Sequence, residues 1–284
     1  MIIPNKINPL SYKLVNDNIS SFKVKGTNTA VYFTPAEACL VDFGDGVIEN
    51  VVASESEISL NHTYNIDAEY IIKIIGNHTH FKGPLNTVEA ITCSKTVESF
   101  TFQGYESLTS IANTFKWPDI NSDFIYTFVS TGIIHLPDIF SNNISANGCS
   151  LMYIFAQCNN LITVDNNFKF PSDITLDGVF GECTNLKNIP ETILPEVFSI
   201  NNGGLFINCY NLELDITHIF DNVLHISGNN GLSQMFDGCV KITGTAPIDK
   251  IKELMNYDGD RYFWMFRNCT NITNYAELVD NGMA

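Results

Sequence analysis

From residue 102 onward, this 284-residue chain repeats a phenylalanine followed six places later by leucine or isoleucine, and in its clearest copies by cysteine at the third place. The full unit, Phe-x-x-Cys-x-Asn-Leu/Ile, reads Phe155/Cys158/Asn160/Leu161, Phe180/Cys183/Asn185/Leu186, Phe206/Cys209/Asn211/Leu212 and Phe266/Cys269/Asn271/Ile272. Phe236/Cys239/Ile242 keeps the pattern with Lys241 in the Asn place. With 20 Phe and 8 Cys in 284 residues, chance gives fewer than one Cys three places after a Phe, and five stand there. Upstream, Phe102 with Leu108 and Phe128 with Ile134 extend the register, so seven phenylalanines lie 26, 27, 25, 26, 30 and 30 residues apart. A period of this length specifies a stack of similar coils, because one such unit has no partner of its own for its apolar face.

Within a coil, the stretches before the Phe (Leu151–Ile154, Leu176–Val179, Leu232–Met235) carry apolar residues at both ends and fit one helical turn facing a core. The Leu/Ile and the residues after it fit a brief strand, stacked in parallel on its neighbours. The aligned cysteines read best as a ladder of small buried thiols. As a metal array they lie too far apart in sequence and lack histidine companions. As disulfides they are mis-spaced, since in-register parallel strands hold Cβ atoms ~4.8 Å apart, beyond disulfide reach. The Asn at the fifth place reads as a ladder that satisfies backbone.

Before about residue 80 the grammar changes. Val41-Asp42-Phe43-Gly44-Asp45-Gly46 is a strand entering an Asp-Gly turn, followed by Asn61-His62-Thr63-Tyr64 and the β-rich run Glu69–Gly76. The order FGDG, HTY, alternating strand resembles the PKD-type β-sandwich over roughly residues 20–76. The whole chain resembles the BspA-like leucine-rich-repeat surface proteins of bacteria, whose repeats have the form MF-x-x-C-x-x-L; Met235-Phe236 and Met265-Phe266 match it. The resemblance implies a mainly β chain with short helices. A PKD-like sandwich would span residues 1–80 and a leucine-rich-repeat solenoid of about seven coils residues 81–284. It also implies adhesion outside the cell without catalysis or cofactor.

Composition narrows the partners. The formal charge is −16, and the only arginines are Arg261 and Arg267, so phosphate neutralisation by a basic face is not available and nucleic acid is excluded as a partner. Charged residues are 16% of the chain while Asn alone supplies 33 positions, which leaves a surface solvated by amides and hydroxyls. No run approaches the ~18 apolar residues of a membrane span. The N-terminal Met1-Ile2-Ile3-Pro4 lacks the apolar core of a signal peptide. That absence raises a second expectation: a structural or receptor-binding component of a phage virion or tail-like assembly, released without export.

Catalytic signatures such as GxSxG, HExxH or a glycine-rich phosphate loop are not present. Asp42 and Asp45 read as turn residues bonding backbone, with calcium as the sharper alternative. His62, His78 and His80 are the best transition-metal group, and Asn256, Asp258 and Asp260 faintly match a calcium loop. The residue after the buried Leu/Ile of each coil should point outward in one stripe: Thr109, His135, Ile162, Lys187, Glu213, Thr243 and Thr273. All but the apolar Ile162 are candidate contacts for a protein or glycan ligand. At the far end, Trp264, Tyr275, Leu278 and Val279 are candidate assembly contacts, because a last coil needs its apolar end covered.

Overall fold

A computed structural model describes residues 18–118, 124–140, 149–228, 231–255 and 262–284. The protein is mainly β, with two short helices among the described residues, α1 (Ile248–Leu254) and α2 (Tyr275–Asp280), and a β-solenoid of about five turns.

The first segment is built on two long strands, β1 (Ile19–Pro35) and β4 (Ile58–Ile75), paired antiparallel with an irregularity between Gly26 and Asn28. On one side β4 pairs with β2 (Cys39–Asp42), which pairs with β3 (Ile48–Val51). On its free side β1 pairs antiparallel with β5 (His78–Lys82) and β6 (Thr87–Thr92). These two pair in parallel with β7 (Ser99–Thr101) and β8 (Ser110–Ile111) of the first coil. The strands therefore form one eight-stranded sheet running from the N-terminal hairpins into the solenoid, and residue 80 falls inside β5. Alternate residues Phe22, Val24, Val31 and Phe33 of β1, with Ile72 and Ile74 of β4, are buried, as the two-residue period of a strand requires.

Beyond residue 100 the phenylalanines make the core. Phe102, Phe128, Phe155, Phe180, Phe206, Phe236 and Phe266 stack in one column, successive ring centroids 5.4–5.8 Å apart and nearly parallel. Beside it runs the thiol row. Cys158, Cys183, Cys209, Cys239 and Cys269 each donate to the carbonyl of the Phe one coil earlier at 3.0–3.1 Å. Thr131, in the cysteine place of the second copy, lies 3.3 Å from the Cys158 thiol. All eight cysteines are buried, and none is in a disulfide. The Asn ladder is present too: Asn185, Asn211 and Asn271 side chains donate to the carbonyls of Asn159, Thr184 and Val240 one coil earlier.

The segment before each Phe is not a helical turn. Residues two before and two after the Phe adopt left-handed backbone: Tyr153 and Gln157, Gly178 and Glu182, Gly204 and Asn208, Gln234 and Gly238, Trp264 and Asn268. Alternate N–H groups turn outward to the next coil, as from Tyr153, Phe155 and Gln157 to the carbonyls of Asp177, Val179 and Gly181. The N–H groups between them close tight turns within the coil. A helical apolar pattern survives because both arrangements return a side chain to the core every three to four residues, but stacking takes the hydrogen bonds that a helix would keep to itself.

The strands after the Leu/Ile stack in parallel as expected. Here β9 (His135–Leu136) pairs with β10 (Thr163–Val164). A second column holds β11 (Ile174–Thr175), β12 (Val197–Ser199) and β13 (His225–Ser227). One copy departs from the sequence register. After Phe128 the buried residue is Ile133, five places on, while Ile134 is 49% exposed.

Candidate functional site: the outer face of the repeat

The row that follows the buried Leu/Ile is exposed in every described coil. Its members are tied by backbone: Ile134 N–H donates to the Thr109 carbonyl, Ile162 to Ile134, Lys187 to Ile162 and Glu213 to Lys187. His135 is thus corrected out of this row. The stretch from Phe128 to the buried Ile133 is one residue shorter than its counterparts, so Ile134 takes the place and His135 pairs with Thr163 one step further, 2.8 Å from its hydroxyl. Thr243 and Thr273 are exposed as well, but bond back to Leu214 and Gly244, so the row shifts by one residue after Glu213. At its centre stand two partly exposed isoleucines, Ile134 and Ile162, followed by Lys187 and Glu213. The Glu213 carboxylate lies 3.6 Å from Lys241.

The same missing residue shapes a second feature. Gly132 stands where other coils carry Asn159 or Thr184, and a Cβ there would lie 2.0 Å from the Glu106 carbonyl, so the close approach of coils one and two admits only glycine. With neither that side chain nor the following Asn, the second coil leaves a polar depression of about 630 Å³. Thr131 lies at its floor, and Glu106, Ser130, Gln157, Asn159, Asn160 and Glu182 form the walls. The walls are organised. Ser130 Oγ donates to Gln157 Oε1 at 3.0 Å, and Gln157 Nε2 donates to Glu182 Oε2 at 2.9 Å. Asn159 Oδ1 accepts from the Thr184 hydroxyl at 2.9 Å. Ser130, Gln157 and Glu182 all have positive φ, and that backbone lines the three side chains up across successive coils. The sequence reading assigned none of these seven residues to a site, and read Asn160 only as a repeat residue. The available signal was the one-residue deficit with glycine between Phe128 and Ile133.

The N-terminal motif folds into a structural unit. Asp42 and Asp45 accept the N–H groups of Gly44 and Val47 at 2.9 and 3.1 Å, the turn role expected of them. His62 stacks on Phe43 and places Nε2 2.8 Å from Asp45. Burial works against ionisation of Asp45, but the His62 hydrogen bond, the Val47 N–H and the His62 charge outweigh it and hold the carboxyl below its usual range. The Tyr64 hydroxyl closes the unit on the Phe43 carbonyl. The three histidines do not meet. His78 is buried between the Ser20 hydroxyl and the Gly76 carbonyl, and His80 contacts Ser99. Among the described residues no three His, Cys, Asp or Glu side chains gather as metal ligands. Asn256, Asp258 and Asp260 lie outside the described residues, as does Arg261.

At the far end Leu278 is fully buried, and this corrects its assignment as a surface contact. Helix α2 lays Leu278 over the last coil, and the tail follows with Met283, also fully buried, whose carbonyl accepts the Phe266 N–H at 2.7 Å. Tyr275 packs partly buried against the same core. Trp264 and Val279 remain 37% and 50% exposed, with Arg267 seated over the Trp264 ring and paired to Asp237. Among the described residues no helix is long and apolar enough to cross a membrane. Comparison of the chain with family models, with curated proteins and with solved structures returns no match.

Proposed function

We propose that this protein is a non-enzymatic binding or adhesion protein that recognises a protein or glycan at a cell surface through the outer face of its coils. One observation carries the reading: the stacked Phe and Cys rows fix the coils, and the outer row Thr109, Ile134, Ile162, Lys187, Glu213 is presented on a shared backbone ladder. Extended faces of this kind are how repeat proteins commonly bind. In this reading the coils are of the BspA-like kind. The first segment is PKD-like, a likeness supported by the linkage of Asp45 to His62 and of Tyr64 to Phe43.

The row is chemically mixed, with a small apolar centre and one charge of each sign beside it, which favours a partner surface carrying both. The test is binding of extracellular glycoproteins and glycans to the immobilised chain, wild type against the double charge reversal Lys187→Glu, Glu213→Lys. Loss of binding with unchanged circular dichroism supports the assignment. Retained binding removes it from this face, and failure of every glycoprotein and glycan to bind overturns the adhesion reading.

A further inference from the structure

We infer that the depression over the second coil is a binding site for a neutral, hydroxyl-rich saccharide. The inference rests on the adhesion reading and names a ligand class and a place for it.

Three observations converge. The first is shape: the hollow lies where the Phe-to-Ile segment of one coil is a residue shorter than in the other coils, and its volume of about 630 Å³ falls within the range of small-ligand sites. The second is order. The Ser130–Gln157–Glu182 chain and the Thr184–Asn159 bond fix wall side chains on three successive coils before any ligand arrives. Such preorganisation lowers the entropy lost on binding.

The third is chemistry. The walls carry two carboxylates, Glu106 and Glu182, the amides of Gln157, Asn159 and Asn160, one hydroxyl, and no cationic side chain. Carboxylates accept from sugar hydroxyls and amide NH₂ groups donate to them, so vicinal hydroxyls find both partners on one surface. An anionic sugar would meet Glu106 and Glu182 without a compensating cation, in a chain whose formal charge is already −16. A nonpolar ligand would strand the amides. The site therefore selects neutral over acidic or sulfated saccharides.

The experiment is titration of the full-length protein, followed by amide NMR shifts, with cellotriose, maltotriose, chitotriose and a high-mannose glycopeptide, and with sialyllactose as the anionic control. The glycopeptide arm separates a glycoprotein source from a polysaccharide source. At least one neutral probe should bind and shift residues of the hollow, and sialyllactose should not. Glu182→Gln should weaken binding about tenfold or more, as loss of a charge-assisted hydrogen bond requires. Asn159→Ala should weaken it independently. Binding that survives Glu182→Gln and Asn159→Ala but is lost in Lys187→Glu overturns the hollow and leaves the adhesion reading standing. Preference for sialyllactose, or no shift from any neutral probe, overturns the proposal outright.

Discussion

If the phenylalanine column is an energetic unit, removing a ring from its middle should reveal coupling to its immediate neighbours and to no others. Phe206 is fully buried, with Phe180 at 5.6 Å on one face and Phe236 at 5.4 Å on the other. Truncation by Phe206→Ala should cost about 3–5 kcal/mol, a large share of the roughly 5–15 kcal/mol that stabilises most domains. That figure mixes lost burial with lost stacking. Phe206→Leu separates them: it keeps most of the apolar volume and forfeits two ring pairs of about 0.5–1.5 kcal/mol each, so about 1–3 kcal/mol should be lost. A double-mutant cycle with Phe236→Leu should then return a coupling of about 0.5–1.5 kcal/mol. The same cycle with Phe128→Leu, which stacks on Phe102 and Phe155 but not on Phe206, should return a value near zero. Equilibrium urea unfolding followed by circular dichroism and by tryptophan fluorescence gives each free energy. Additive Phe206 and Phe236 substitutions, or equal coupling in both cycles, would refute the idea that ring contact and not mere burial holds the coils in register.

Two further outcomes are expected. Burial, partly offset by the bond to Gly76, pulls the His78 pKa from 6.5 down to about 4. The neutral ring is therefore favoured in the folded state: its contribution is complete above pH 6.5 and is lost as pH falls from there through 4, to a limit of roughly 3 kcal/mol. Urea midpoints between pH 7.5 and 4.5 should fall less steeply in His78→Gln than in wild type, and parallel profiles would count against the assignment. Burial pushes the Cys183 and Cys209 thiols well above the ordinary range and Cys39 to about 11, so native protein should react negligibly with a thiol reagent and release eight equivalents in urea. Rapid native labelling of the five-cysteine row would contradict its place in the core.

The stacked architecture was legible in the sequence because stacking demands that the same residue return at the same place. The Phe period, the thiol row and the Asn ladder of Asn185, Asn211 and Asn271 all follow from that demand. The left-handed positions were not legible, because Tyr153, Gln157 and Trp264 occupy them although glycine would be the expected residue; the inter-coil bonds select that backbone. The shift of His135 and the burial of Ile133 were hidden by adjacent isoleucines, which let the pattern match at either Ile133 or Ile134. Leu278 was legible as apolar but not as a lid, since only the returning tail shows which side of α2 faces the coil. The hollow has no motif at all. It is made by what one coil lacks.

The turns around the phenylalanines have one more consequence. Their inter-coil N–H groups all point the same way: Phe102 to Thr127, Phe128 to Ile154, Phe155 to Val179, Phe180 to Leu205, Phe206 to Met235 and Phe236 to Met265. In an ordinary parallel strand the direction alternates and the peptide dipoles cancel. Here they add along the stack, each unit carrying about 3.5 D, so this edge of the protein is polarised like a long helix whose turns happen to be separate coils. Its positive pole lies at the last coil. The group that closes such a pole must be an acceptor, and the Met283 carbonyl on the Phe266 N–H is one.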